Sequence, residues 1–181
     1  MGDRFGTDLR RWAHFSADGH HRLILGRRWA DGPFVAFIGL NPSTADGDED
    51  DPTVRRCIGF ARDWGYGGLL VANLFTLCAT DPRNLAIAKR PLTLGADNAL
   101  RDVADKSDLV IEAWGAHPMA TGRQGQVREL LDGRAPRAVL GYTQAGAPRH
   151  PLYAPAGTQP QPIGGEAPVA DLSLRGTDQG R

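Results

Sequence analysis

Apolar runs closed by glycine, asparagine or proline alternate along the chain with segments whose apolar residues recur every three or four positions. The clearest run is FVAFIG, residues 34–39, which reads as a buried strand and stops abruptly at Gly39-Leu40-Asn41-Pro42-Ser43. Before it, residues 20–29 mix apolar and basic positions and predict an extra strand leading to a turn at Asp31-Gly32. Residues 44–51 form a polar loop. A helix then starts at Asp51-Pro52-Thr53, with Asp51 as N-cap and Pro52 at the first helical position. Val54, Cys57, Ile58, Ala61 and Trp64 recur at helical spacing until Gly65 and Gly67 end it. Residues 68–77 predict a second buried strand, 96–104 a helix, 108–114 a third strand, 125–131 a helix and 138–140 a short fourth strand. This alternation predicts an α/β fold: a three-layer α/β/α sandwich around a mainly parallel four-stranded central sheet, with an extra N-terminal strand. Residues 1–153 are expected as a single domain. Residues 154–181, rich in Pro, Gly and Gln, are expected as a C-terminal tail.

Composition narrows the class. The 181 residues are 41% hydrophobic and 23% charged, enough for one domain with a real core. No run of 18 apolar residues is present, so no membrane span is expected. Met1-Gly2-Asp3-Arg4 does not lead into a secretory apolar region, and the expected location is cytoplasmic. Cys57 and Cys78 are too few for a disulfide framework or a four-cysteine iron–sulfur cluster. The formal net charge is zero, which argues against broad electrostatic binding while leaving a local basic face open. There is no Gly-x-Gly-x-x-Gly after a strand, no Gly-Lys-Ser/Thr phosphate loop and no Gly-x-Ser-x-Gly elbow. His20, His21, His117 and His150 lack the spacing of a zinc site. The expectation is therefore no cofactor and no metal.

The predicted topology gathers the carboxyl ends of the strands on one edge, where open α/β sheets bind ligands. That edge would carry Asn41-Pro42-Ser43, then Asn73 with Thr76 and Thr80, then Trp114-Gly115-Ala116-His117, and finally Arg149-His150-Pro151-Leu152-Tyr153. Asn73 interrupts an apolar strand, and a buried amide without a partner costs about 1–3 kcal/mol. It is either tied to neighbouring backbone or reads a planar base through one donor and one acceptor. His150 is either a solvated loop side chain or, with Arg149, an anion stabiliser. The carboxylates of Asp46, Asp48, Glu49, Asp50 and Asp51 are open to three readings: a solvated loop, a divalent-ion site that lacks EF-hand spacing, or a recogniser of substrate hydroxyls and amines.

Taken in order, these motifs resemble the uracil-DNA glycosylase superfamily. Gly39-Leu40-Asn41-Pro42-Ser43 is similar to its first motif, closest to the mismatch-specific branch. Leu70-Val71-Ala72-Asn73-Leu74 resembles its second strand, Glu112-Ala113-Trp114-Gly115-Ala116 its Leu-Trp-Gly strand, and Arg149-His150-Pro151-Leu152-Tyr153 its DNA-pressing loop. The Asn-Pro-Ser-Thr-Ala-Asp, Asp-Asp-Pro-Thr-Val-Arg-Arg-Cys and Trp-Gly-Tyr-Gly segments also resemble a bacterial domain family of unassigned function. The resemblance implies a metal-independent, monofunctional DNA glycosylase acting as a monomer on DNA. Asn41 and His150 would be catalytic. Gly39, Leu40, Pro42, Ser43, Asn73 and His117 would hold the base, and Arg149, Pro151, Leu152 and Tyr153 would face the DNA. Ser43 stands where the family often has Tyr or Gly, and no serine follows His150-Pro151. The stretch after motif one is acidic, without the aromatic that stacks on uracil. These departures point to a damaged or bulky modified base, and a role in defence against phage with modified DNA would suit that substrate. Two alternatives stay open: a non-catalytic nucleotide- or nucleic-acid-binding module of the same fold, and a hydrolase of free nucleosides or nucleotides.

Overall fold

The structure, a computed structural model, describes residues 10–164. Its strands are β1 (Arg10–Phe15), β2 (Arg22–Arg28), β3 (Phe34–Gly39), β4 (Gly68–Asn73), β5 (Leu109–Glu112), β6 (Arg137–Val139) and β7 (Gln161–Pro162). The helices are α1 (Pro52–Asp63), α2 (Pro82–Ile87), α3 (Ala96–Asp105) and α4 (Pro118–Leu131), and one 3₁₀ turn spans Pro151–Tyr153.

The expectation of a mainly parallel four-stranded sheet is overturned. All seven strands join one mixed sheet in the order β1-β2-β4-β3-β5-β6-β7. The β4-β3, β3-β5 and β5-β6 pairings are parallel, whereas β1-β2, β2-β4 and β6-β7 are antiparallel. The physical reason lies in the connections. Parallel neighbours need a long crossover, but β1 and β2 are joined by the short turn 16–21 and can only pair as a hairpin. That hairpin docks on the free edge of β4, with Leu25 opposite Val71. Within the segment expected as a tail, β7 lies against β6 and the Ile163 N–H donates to the Arg137 carbonyl at 2.9 Å. Residues beyond 164 lie outside the described ones.

The central strands are buried on both faces, which explains their continuous apolar runs. Val35 and Phe37 of β3 face α1, where Val54, Cys57, Phe60 and Ala61 complete one core. Ala36 and Ile38 face the opposite way, into a core with Leu100 and Val103 of α3 and Val127 and Leu131 of α4. Asp51 caps α1 by accepting the Val54 N–H at 2.7 Å, and Pro52 fills the first turn where no donor is needed. Among the described residues no helix is long and apolar enough to cross a membrane.

Candidate functional site

A cavity of about 490 Å³ opens at the carboxyl ends of β3, β4 and β5. Its size suits a nucleoside-sized ligand. Gly39, Leu40, Asn41, Ser43, Asn73, His117, His150, Pro151, Leu152 and Tyr153 all line it. Pro42 and Arg149 do not. The Pro42 carbonyl accepts the Ala79 N–H at 2.9 Å, and Arg149 Nη2 donates to the Tyr142 carbonyl at 3.0 Å.

Asn41 is held by its donor side. Its Nδ2 donates to the Ala79 carbonyl at 2.8 Å and to the Pro42 carbonyl at 3.0 Å. Both amide hydrogens are thereby used, and Oδ1 is the acceptor left for a ligand or a water. Asn73 is placed the other way. It ends β4 directly opposite Gly39 of β3 and is only 6% exposed, yet its Nδ2 has no hydrogen-bond partner. A Cβ built on Gly39 would sit 2.7 Å from Asn73 Oδ1. Glycine at 39 is therefore what leaves room for the Asn73 amide.

The two histidines are fixed in the same tautomer by the same device. His117 caps α4 and its Nδ1 accepts the Met119 N–H at 3.3 Å; His150 caps the 3₁₀ turn and its Nδ1 accepts the Leu152 N–H at 3.3 Å. In the neutral ring the proton then sits on Nε2, which becomes a donor. Burial lowers the His150 pKa from its ordinary 6.5, opposed by the nearby Asp51 carboxylate, so the ring is a neutral donor at pH 7. Gly115, with φ of 74°, makes the turn that lets its N–H reach the Pro148 carbonyl at 3.0 Å and brings the His150 segment against the end of β5.

Further residues complete the wall: Trp114 and Thr80 stand on the edge the predicted topology gave them, whereas Phe37, Thr53, Cys57 and Arg22 were not placed there by the sequence. Asp51 was expected as a helix cap and is one, but it also lines the cavity and accepts a short hydrogen bond from Ser43 Oγ. Phe37 and Trp114 present aromatic surface; Phe37 stacks on Trp64 with ring centroids 5.9 Å apart. Thr53 and Thr80 add hydroxyls at the rim. Cys57 lines the wall too, but burial pushes its thiol pKa well up, so it is no thiolate nucleophile. Arg22 is the largest omission. It is 3% exposed, its Nη1 donates to the Ala45 carbonyl at 2.6 Å, and its Nε is buried without a partner. Burial pulls its pKa below the ordinary value, partly countered by Cys78 and Asp51. The only signal in the sequence was an arginine at the start of an apolar strand.

The acidic run turns out to be a strap around a buried cation. Arg27, 0% exposed, pairs with Asp50 at 2.8 Å and donates to the carbonyls of Asp46 at 2.7 Å and Glu49 at 3.3 Å. Arg11 adds a bond to the Asp48 carbonyl at 2.6 Å and an ion pair with Asp50 at 3.2 Å. Asp46 accepts the N–H groups of Asp48 and Glu49 within its own loop, both at 2.8 Å. The two arginines thus tie down the loop between Ser43 and Asp51, the two residues at its ends that line the cavity.

Residues 22–152 match the family described as Protein of unknown function (DUF1643). The chain belongs to the DUF1643 family. No curated protein and no solved structure matches it. The matched span of this DUF1643 chain starts at Arg22 and ends at Leu152, so it encloses every residue named above as lining the cavity except Tyr153.

Proposed function

We propose that the protein is a metal-independent DNA glycosylase that hydrolyses the N-glycosidic bond of a modified or damaged base and leaves an abasic site. The observation that carries this reading is the opposed pair of amides in one cavity: Asn41 offers only its carbonyl oxygen, and Asn73 offers an unpartnered N–H. Asn41 Oδ1 accepts a hydrogen bond from a water and orients it toward the anomeric carbon. An amide is not a general base, so the reaction leans on stabilising the departing base. Asn73 Nδ2 reads an acceptor on the base edge. The neutral His150 ring donates from Nε2 to the leaving base or to a flanking phosphate. Leu152 and the 77%-exposed Tyr153 stand at the cavity rim, where an apolar wedge fills the gap left by a flipped nucleotide. The motif resemblance to the uracil-DNA glycosylase superfamily supports the same chemistry, and the absent uracil clamp favours a decorated base, as in phage with modified genomes.

A second reading, hydrolysis of free nucleosides or nucleotides, draws on the zero net charge and on Arg149 lying off the cavity. The test incubates the protein with genomic DNAs carrying different base modifications and scores alkali-labile abasic sites. One modified DNA should be cut, and Asn41→Ala should slow its single-turnover cleavage on the order of 10²-fold with little change in DNA affinity. Cleavage by Asn41→Ala at the parent rate removes Asn41 from the chemistry. Base release from free nucleosides alone moves the protein to the second reading.

A further inference from the structure

Among the described residues, only two buried side-chain polar atoms lack a hydrogen-bond partner: Arg22 Nε and Asn73 Nδ2. Both belong to residues that line the same cavity. Unmet buried donors are rare because each forfeits its bond to water without gaining another, and a charged group loses more. Two in one cavity, both donors, describe a ligand rich in acceptors.

Arg22 is the sharper of the two. Strand β2 carries two buried arginines. Arg27, away from the cavity, has a carboxylate at 2.8 Å and four backbone carbonyls around it. Arg22, in the cavity wall, forms no ion pair among the described residues and its side chain keeps one hydrogen bond there, Nη1 to the Ala45 carbonyl. That bond fixes the guanidinium against the wall and stops it swinging to solvent. A buried cation is ordinarily paired, and this one lines a ligand-sized cavity with its Nε–H unmet. Antiparallel pairing puts it there: β2 begins where β4 ends, and the Arg22 N–H donates to the Thr76 carbonyl at 2.9 Å.

We propose that Arg22 and Asn73 form an oxyanion-binding site in the cavity wall that takes a negatively charged oxygen of the ligand. Two sources fit this chemistry. One is a departing base ionised at a ring carbonyl, a role that rests on the glycosylase reading. There, water oxygen bonds to the sugar carbon as the carbon–nitrogen bond breaks, and the bond's electron pair leaves with the base. The charge spreads to a ring oxygen facing Arg22; the water loses one proton, and the base later gains one. The other source is the phosphate of a nucleotide. Arg22 is then a binding residue only.

The test titrates the full chain by calorimetry with two matched pairs of probes. One pair is 5-nitrouracil, ionised at neutral pH, against neutral thymine. The other is a nucleoside 5′-monophosphate against its nucleoside. The site predicts that the anion of at least one pair binds about tenfold or more tightly than its neutral partner. Arg22→Met should abolish that preference, Asn73→Ala should weaken it, and Arg22→Lys should keep part of it. Preference for 5-nitrouracil assigns the base as the source; preference for the monophosphate assigns the phosphate. No anion preference in the parent protein overturns the proposal, whatever the variants do, as does a preference that survives in Arg22→Met folded to the parent melting temperature. The two readings fail separately. Anion preference without abasic-site formation keeps the site and sinks the glycosylase. Abasic-site formation without anion preference does the reverse.

Discussion

Gly39→Ala tests the cavity's geometry with one carbon atom. The new Cβ would lie 2.7 Å from Asn73 Oδ1, and the only other heavy atom within 4 Å is Cγ of the same side chain, at 3.8 Å. The clash is roughly 0.8 Å short of ordinary contact, so the Asn73 amide must move by about that much. The backbone has no reason to resist: Gly39 is not among the glycines with positive φ, and Gly→Ala at a compatible site changes stability by only about 0.4–1 kcal/mol. A displacement near 1 Å at a positioning group costs on the order of 10²-fold, or about 2.7 kcal/mol of barrier at 1.36 kcal/mol per tenfold. Folding and function should therefore separate. The melting temperature of Gly39→Ala should stay close to the parent's, while single-turnover base release falls about 10²-fold. The decisive arm is a double-mutant cycle. In an Asn73→Ala background there is no Oδ1 to strike, and adding Gly39→Ala should cost nothing further. Equal losses in both backgrounds, or parent activity in Gly39→Ala, would refute the claim that glycine at 39 exists to seat the Asn73 amide.

Three further outcomes follow from named contacts. Arg27→Ala breaks the buried side of the Asp50 ion pair, leaving only Arg11 on that carboxylate, and empties the centre of the acidic strap; it should lower the free energy of unfolding by about 3–5 kcal/mol in urea titrations, and a loss under about 1 kcal/mol would mean the strap holds without its cation. Because burial depresses the folded His150 pKa below 6.5, the unfolded chain binds more protons between those two values. The stability contributed by the neutral ring is complete above 6.5 and drains away as pH falls toward the folded value, so the pH slope of unfolding there should be shallower in His150→Gln than in the parent. Leu152→Ala and Tyr153→Ala should slow base release from duplex DNA more than from single strands, where no stack must be broken; equal effects on both would reduce this segment to a turn.

The strong local signals were legible in the sequence. The continuous apolar runs of β3 and β4 announce strands buried on both faces, and Asp51-Pro52 announces the start of α1. Asn41, Asn73, His117 and His150 follow or end such elements, so a shared rim could be anticipated from chain order. What failed was the edge of the sheet. RRWAHF in β1 carries half-exposed residues with weak alternation, and nothing local tells that β2 inserts β4 between itself and β3. Arg22 stayed hidden for the same reason: nothing in the sequence orients the N-terminal strand, and only an antiparallel β2 puts its first residue at the cavity end of the sheet. The expected helix over 125–131 also falls two turns short of the start of α4 at Pro118. Its Gly122 and Gly125 weaken the helical pattern, and the cap comes from His117, an uncommon N-cap whose signature is not the usual Ser, Thr, Asp or Asn. The acidic run could not be decided among its three readings because Arg27, its partner, lies on a strand more than a dozen residues earlier.

The catalytic reading of the cavity depends on base release. The most direct measurement is to digest modified DNA with the protein, then quantify free base by mass spectrometry beside abasic sites in the same sample. The account predicts one free base released per abasic site formed, activity that persists in EDTA, and near-complete loss of both products in Asn41→Ala. No free base from any modified DNA or free nucleoside, under conditions where the protein is folded, would contradict it.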